Sequence, residues 1–116
     1  DDDSIGSLGI VSTRIRAIRG VSQAIVDGRL RLDAACDLES SLTTLRDVPG
    51  IGDWTAQLVA MRVLAWPDAF PASDLALLKA LGTRDPLEAA SRVEACRPWR
   101  AYAVMRCWQT LETQDV

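Results

Sequence analysis

"VPGIGDWTAQLVAMRVLAW", residues 48–66, sets a proline and two glycines against a long apolar run and places Trp54 just past the second glycine. Pro49, Gly50 and Gly52 break any helical period. From Asp53 the run resumes a helical pattern to about Ala65, where Trp66 and Pro67 end it. A break this short between two helical patterns reads as helix, hairpin, helix.

Working outward, Ile15, Ile18, Val21 and Ile25 fall at three- and four-residue steps, which predicts a helix to about Asp27 with Ser12 or Thr13 as its cap and Gly28 as its stop. That stripe is expected to face the core, and Arg14 and Arg19 to sit on the opposite, solvated face. Leu38, Leu42 and Leu45 mark a second helix from Leu38 to Asp47. Beyond the hairpin helix, Ser73 is expected to cap a fourth helix ending at Leu81 before Gly82. Asp85-Pro86-Leu87-Glu88 opens a fifth with acid spacing like a capping box and proline in the first turn. Arg97-Pro98 restarts a last helix to about Leu111. No strand alternation persists and no repeat appears, so the expected fold is all-α: an orthogonal bundle of five or six short helices in one domain spanning 1–116.

Composition narrows the chemistry. The 116 residues carry a net charge of −3 and no histidine, and Cys36, Cys96 and Cys107 lack CxxC spacing. A zinc site is not expected, and the cysteines read as reduced, packed thiols. Without histidine, acid–base work falls to carboxylates. No run of about eighteen apolar residues could span a bilayer, so no membrane partner is expected, and no secretory leader is visible behind Asp1, Asp2 and Asp3; the expected setting is cytoplasmic. The first residue is not Met, which suggests a processed chain or a fragment.

The acidic balance argues against a broad basic face for nucleic acid but leaves room for a local site made of backbone groups. Glycines at 50 and 52 let the chain turn with no Cβ in the way and leave N–H groups at the start of the next helix pointing outward. Those donors, aided by the helix dipole, form an anion site suited to a phosphodiester.

The fuller string Val48-Pro49-Gly50-Ile51-Gly52-Asp53-Trp54-Thr55-Ala56 resembles the helix-hairpin-helix of a DNA glycosylase superfamily. Downstream, Asp68-Ala69-Phe70-Pro71-Ala72-Ser73-Asp74-Leu75-Ala76-Leu77-Leu78-Lys79 resembles the segment that carries its catalytic aspartate, at Asp74. Arg97-Pro98-Trp99-Arg100-Ala101-Tyr102-Ala103 resembles a helix of the bacterial 3-methyladenine DNA glycosylase II family (AlkA type). Three motifs in family order are far more specific than any one of them.

The resemblance implies an enzyme that flips an alkylated purine out of duplex DNA and hydrolyses its N-glycosidic bond, a cationic base leaving with little need of a general acid. Asp74 would stabilise the charge developing on the deoxyribose and orient or deprotonate the attacking water. Pro49, Gly50, Ile51, Gly52 and Thr55 would bind the DNA backbone; Trp54, Leu58, Leu75 and Trp99 would form the base pocket, the indoles facing a cationic purine. Trp66 and Trp108 are expected in the core. Trp54 stands where bifunctional relatives carry a Schiff-base lysine, which implies a monofunctional enzyme. No cofactor is expected beyond a monovalent cation on hairpin carbonyls. Leu58 and Leu75 replace tyrosines of the best-known relative, so a greasier pocket is expected, and Asp53 is expected to compete with a phosphate at the hairpin. The family's N-terminal lobe, with its wedge helix, has no counterpart before Ile5. The fragment alone is therefore expected to be poorly active, with a dimer partner or that lobe covering apolar surface left exposed.

Two other readings are open: a helix-hairpin-helix module that grips DNA backbone without catalysis, and a helical interaction domain with no nucleic-acid role. Asp74 with its Phe70-Pro71 approach favours the enzyme, since a backbone binder has no use for it.

Overall fold

A computed structural model describes residues 4, 7–9, 11–33 and 36–114. Asp1, Asp2, Asp3 and Ile5 lie outside that set. Six α-helices and one 3-10 turn, with no strand, make up its regular structure among the described residues: α1 (Ser12–Val26), α2 (Leu38–Asp47), α3 (Asp53–Arg62), α4 (Leu75–Leu81), α5 (Pro86–Arg92), the 3-10 turn Glu94–Cys96 and α6 (Arg100–Gln114). The all-α expectation holds. The chain divides into two compact units, residues 1–56 and 57–116.

In the first unit, α1 starts one residue earlier than capping chemistry suggested. Val11, extended at φ −70°, is the N-cap, and neither Ser12 nor Thr13 caps; the Val11 carbonyl accepts from the Arg14 and Ile15 amides, closing the first turn without a side chain. The expected stripe faces the core only in part: Ile15 and Val21 are half-buried, whereas Ile18 and Ile25 are 43% and 46% exposed. Ala24 is buried, and the close approaches to α1 are at small positions, Ala17 and Gly20, and at the Thr13 carbonyl. A Cβ on Gly20 would stand 2.5 Å from Val48 Cγ1, so only glycine admits that side chain. α2 matches its expected bounds and is capped by Asp37, whose carboxylate accepts from the Ser40 amide and hydroxyl. The Ser40 hydroxyl holds the Asp37 carboxyl below its ordinary range. Leu30, Leu42, Leu45 and Val48 fill this unit's core.

In the second unit, α3 ends at Arg62 rather than Ala65. Ala65 takes a left-handed φ of +53°, and the Trp66 amide reaches back to the Ala60 carbonyl at 2.9 Å, so the chain turns before Pro67 could block it. Asp74, not Ser73, caps α4, and Gly82 closes that helix at φ +71°. Asp85 caps α5 with Pro86 next. Glu88 bonds the Thr83 hydroxyl, and that same oxygen accepts from the Asp85 amide; the threonine thus fills the place a capping-box glutamate would take. Before α6, the Arg97–Pro98 peptide is cis, and the helix begins at Arg100. Phe70, Leu77, Val93 and Val104 are among its buried side chains, and α4 packs chiefly on α6.

Candidate active site

The stretch 67–74 is irregular, yet almost every residue of it is tied down. Asp68, 8% exposed, accepts from Arg100 Nε at 2.9 Å and Nη2 at 3.0 Å, while Nη2 also meets the Asp68 carbonyl. The Arg100 amide adds a bond to Asp68, and the Ala101 amide one to the Pro67 carbonyl. The Arg100 side chain holds the Asp68 carboxyl below its ordinary 3.8 against the opposing effect of burial. The same guanidinium lies over the Phe70 ring, 5.5 Å from its centre. On the other side Gln57, from α3, accepts the Phe70 amide at 2.9 Å. An irregular loop held at both flanks presents its last residue in a fixed place.

That last residue is Asp74. As N-cap its Oδ2 accepts from the Leu77 amide at 2.8 Å and from the Trp108 indole N–H at 3.0 Å. Trp108 is half-buried and carries Arg62 on its ring face, 5.5 Å from the centre. A carboxylate with two donors on one oxygen and partial solvent access can meet a developing cation or a water without rearranging. This geometry corrects the expectation of Trp108 as core filling.

The remaining pocket candidates have the following surroundings. Leu58 is half-buried on α3. Leu75, beside Asp74, is 82% exposed and lines a groove of about 580 Å³ with Leu78, Lys79, Gly82, Thr83 and Arg84. Trp99 is 57% exposed and packs at 6.1 Å on Tyr102; nine residues separate it from Trp108, about 13 Å along the α6 direction. Trp54, 42% exposed, stands in the first turn of α3.

In the hairpin, Gly50 has φ +92°, and a Cβ there would meet Ala17 Cβ and the Thr13 carbonyl, each at 3.2 Å. The fold itself demands this glycine. Gly52 differs: no left-handed angle is needed, and a Cβ would meet nothing within 4 Å. Open space therefore lies before the start of α3, with Gly52 accepting from the Ala56 amide at 3.0 Å. Pro49 is exposed, and Ile51 and Thr55 are half-buried. Asp53 is engaged by Arg46, Nη2 to Oδ1 at 2.8 Å, an exposed ion pair across the hairpin.

No protein-family model matches the chain. Curated proteins do. It is 43% identical over 111 residues to the probable bifunctional transcriptional activator/DNA repair enzyme AlkA of Mycobacterium tuberculosis, covering 92% of this chain and 22% of that protein. It is 30% identical over 110 residues to DNA-3-methyladenine glycosylase 2 of Escherichia coli, covering 95% and 39%. A DNA-3-methyladenine glycosylase of Bacillus subtilis is 30% identical over 108 residues, covering 81% and 34%. The chain is homologous to the C-terminal part of AlkA-type DNA glycosylases. It spans only about a fifth to two fifths of the length of these relatives.

Three side chains that build the surroundings of Asp74 are not legible as such in the sequence. Trp108 and Arg100 act over 34 and 32 residues of chain, a separation no periodicity registers. Gln57 carried a usable signal: an amide inside the apolar run 56–61 needs a partner if half-buried.

Proposed function

We propose that this chain is the catalytic lobe of a monofunctional base-excision glycosylase that removes alkylated purines from duplex DNA. The observation that carries the reading is the Asp74 carboxylate, held by Leu77 and Trp108 at the end of a doubly anchored loop. A cationic alkylpurine needs little acid assistance to depart. What the protein must supply is negative charge beside the deoxyribose and a positioned water, and Asp74 supplies both. In the second unit, Leu58, Leu75 and Trp99 are the side chains proposed to meet an extruded base, and Trp54, in the first unit, is proposed for the same role by resemblance alone. Trp54 has no amine, so no Schiff base forms there.

Pro49, Gly50, Ile51, Gly52 and Thr55 form the helix-hairpin-helix grip on a DNA backbone. Open space in front of Gly52 lets a phosphate approach the first N–H groups of α3. The hairpin's carbonyl oxygens suit a monovalent cation by donor type; no other cofactor is invoked. The partner is duplex DNA with damaged bases in a cytoplasmic setting. Among the described residues no helix is long and apolar enough to cross a membrane. Exposed Val11, Ile18 and Ile25 on α1 form the face that an N-terminal lobe or a second copy covers.

The test is release of methylated purines from alkylated duplex DNA, lost in Asp74→Asn. The second reading, a backbone-binding module without chemistry, rests on the same open hairpin and would predict binding with no release.

A further inference from the structure

Apart from Leu75 itself, the groove that begins there is not used by the reading above. Its wall is one turn of α4 and the chain that leaves it: Leu75, Leu78, Lys79, Gly82, Thr83 and Arg84 around about 580 Å³. Three features bear on its occupant. The charged side chains lining it are both cations, in a chain of net charge −3 whose only lysine is Lys79. Of the nearby acids, Asp85 caps α5 through the Leu87 amide, and Glu88, which accepts from the groove-lining Thr83 hydroxyl, is also paired with Arg92. Finally, the groove begins one residue along the chain from the proposed reaction centre, since Leu75 follows Asp74 directly, and Lys79 stands about 7 Å from Asp74 along the α4 axis, roughly two strand steps.

An apolar floor with cations on its rim matches a nucleic-acid strand seen edge-on, with sugar on leucine and phosphates on the cations. It does not match a peptide helix, which would need a longer apolar trough. A base-flipping protein must also hold the strand that flanks the extruded nucleotide. The hairpin contributes backbone donors, not side-chain charge, so a second grip with its own salt dependence is chemically complementary. We propose that this groove carries the phosphodiester backbone of the strand whose nucleotide is presented to Asp74, Lys79 and Arg84 contacting phosphates over the apolar floor at Leu78. The assignment rests on the glycosylase reading for its choice of strand.

The experiment is fluorescence anisotropy of the 116-residue chain on a labelled duplex with one abasic-site analogue, titrated at several salt concentrations. Lys79→Gln, Arg84→Gln and the double variant are compared with wild type, with Lys79→Arg as rescue, Arg31→Gln as a charge control and Gly52→Ala as a hairpin probe. Circular dichroism verifies that each variant keeps its helices. The double variant is expected to bind severalfold more weakly and to lose about two from the slope of log Kd against log salt, about one per cation. Lys79→Arg restores its share, and Arg31→Gln keeps the wild-type slope. A wild-type slope in the double variant, while Gly52→Ala still weakens binding, overturns the groove and leaves the DNA reading standing. No salt-dependent binding by the wild-type chain at low salt overturns both.

Discussion

Asp74 does two jobs with one carboxylate. Its Oδ2 starts α4 by accepting the Leu77 amide and at the same time takes the Trp108 indole N–H. A capping role alone tolerates asparagine, which ranks with aspartate at N-caps. Chemistry that uses the charge does not. Trp108→Phe separates the two: the ring stays available to Arg62, but the indole donor is gone. We expect a stability loss of about 1.5–3 kcal/mol, typical for a hydrogen bond to a charged group, and slower base release with little change in DNA affinity. Equal affinity and equal release in Trp108→Phe would show that the indole bond is only structural. At this scale the sequence was partly legible. Asp74 stood out through its family-like context, but the cap was assigned to Ser73, one residue early, since serine and aspartate are equally good caps and only the backbone decides. Trp108 was invisible because its partner lies 34 residues away.

At the scale of elements, the hairpin and the Asp74 loop are built on opposite principles. The hairpin is shaped by Gly50 pressed against α1. Gly50→Ala should cost stability, since the new Cβ meets Ala17 and the Thr13 carbonyl at 3.2 Å with φ at +92°; about 1–3 kcal/mol is expected for such strain. Gly52→Ala should cost less than about 1 kcal/mol, a cap preference only, yet weaken DNA binding by filling the open space. Thermal melts beside low-salt DNA titrations would show this inversion, and a Gly52→Ala variant that binds normally would contradict it. The loop depends on charge. Asp68 has its folded pKa depressed by Arg100, so the stability it contributes is present above the unfolded value near 3.8 and is lost as pH falls below it. Melting temperature should therefore drop on acidification from pH 5 to pH 3, and more gently in Asp68→Asn, which starts lower because Arg100, half of a buried pair, loses its partner. Parallel melting curves for the two proteins would refute this role. Helix positions were readable from period and punctuation, with α2 matched residue for residue. The end of α3 was not, because the left-handed turn at Ala65 is set by the Trp66 amide reaching back to Ala60. The α1 stripe misled for a different reason: the close approaches there are at small positions, dictated by Val48 and Gly50.

For the molecule as a whole, the net charge of −3 means that the proposed affinity for DNA would have to come from local features rather than a general basic field. The hairpin and the Lys79–Arg84 groove are the two features proposed for it. The homology is to a C-terminal part of longer glycosylases, and α1 exposes Val11, Ile18 and Ile25 where further polypeptide would find an apolar seat. The most direct measurement is release of 3-methyladenine and 7-methylguanine from alkylated duplex DNA by this chain, by the same chain extended at its N-terminus with a relative's preceding segment, and by the Asp74→Asn form of each. The account predicts release by the extended chain that falls at least a hundredfold in Asp74→Asn, within the range of about 10²–10⁴ for a positioned acid–base group, with DNA binding retained. Release that survives Asp74→Asn, or DNA binding without release in every form, would contradict it.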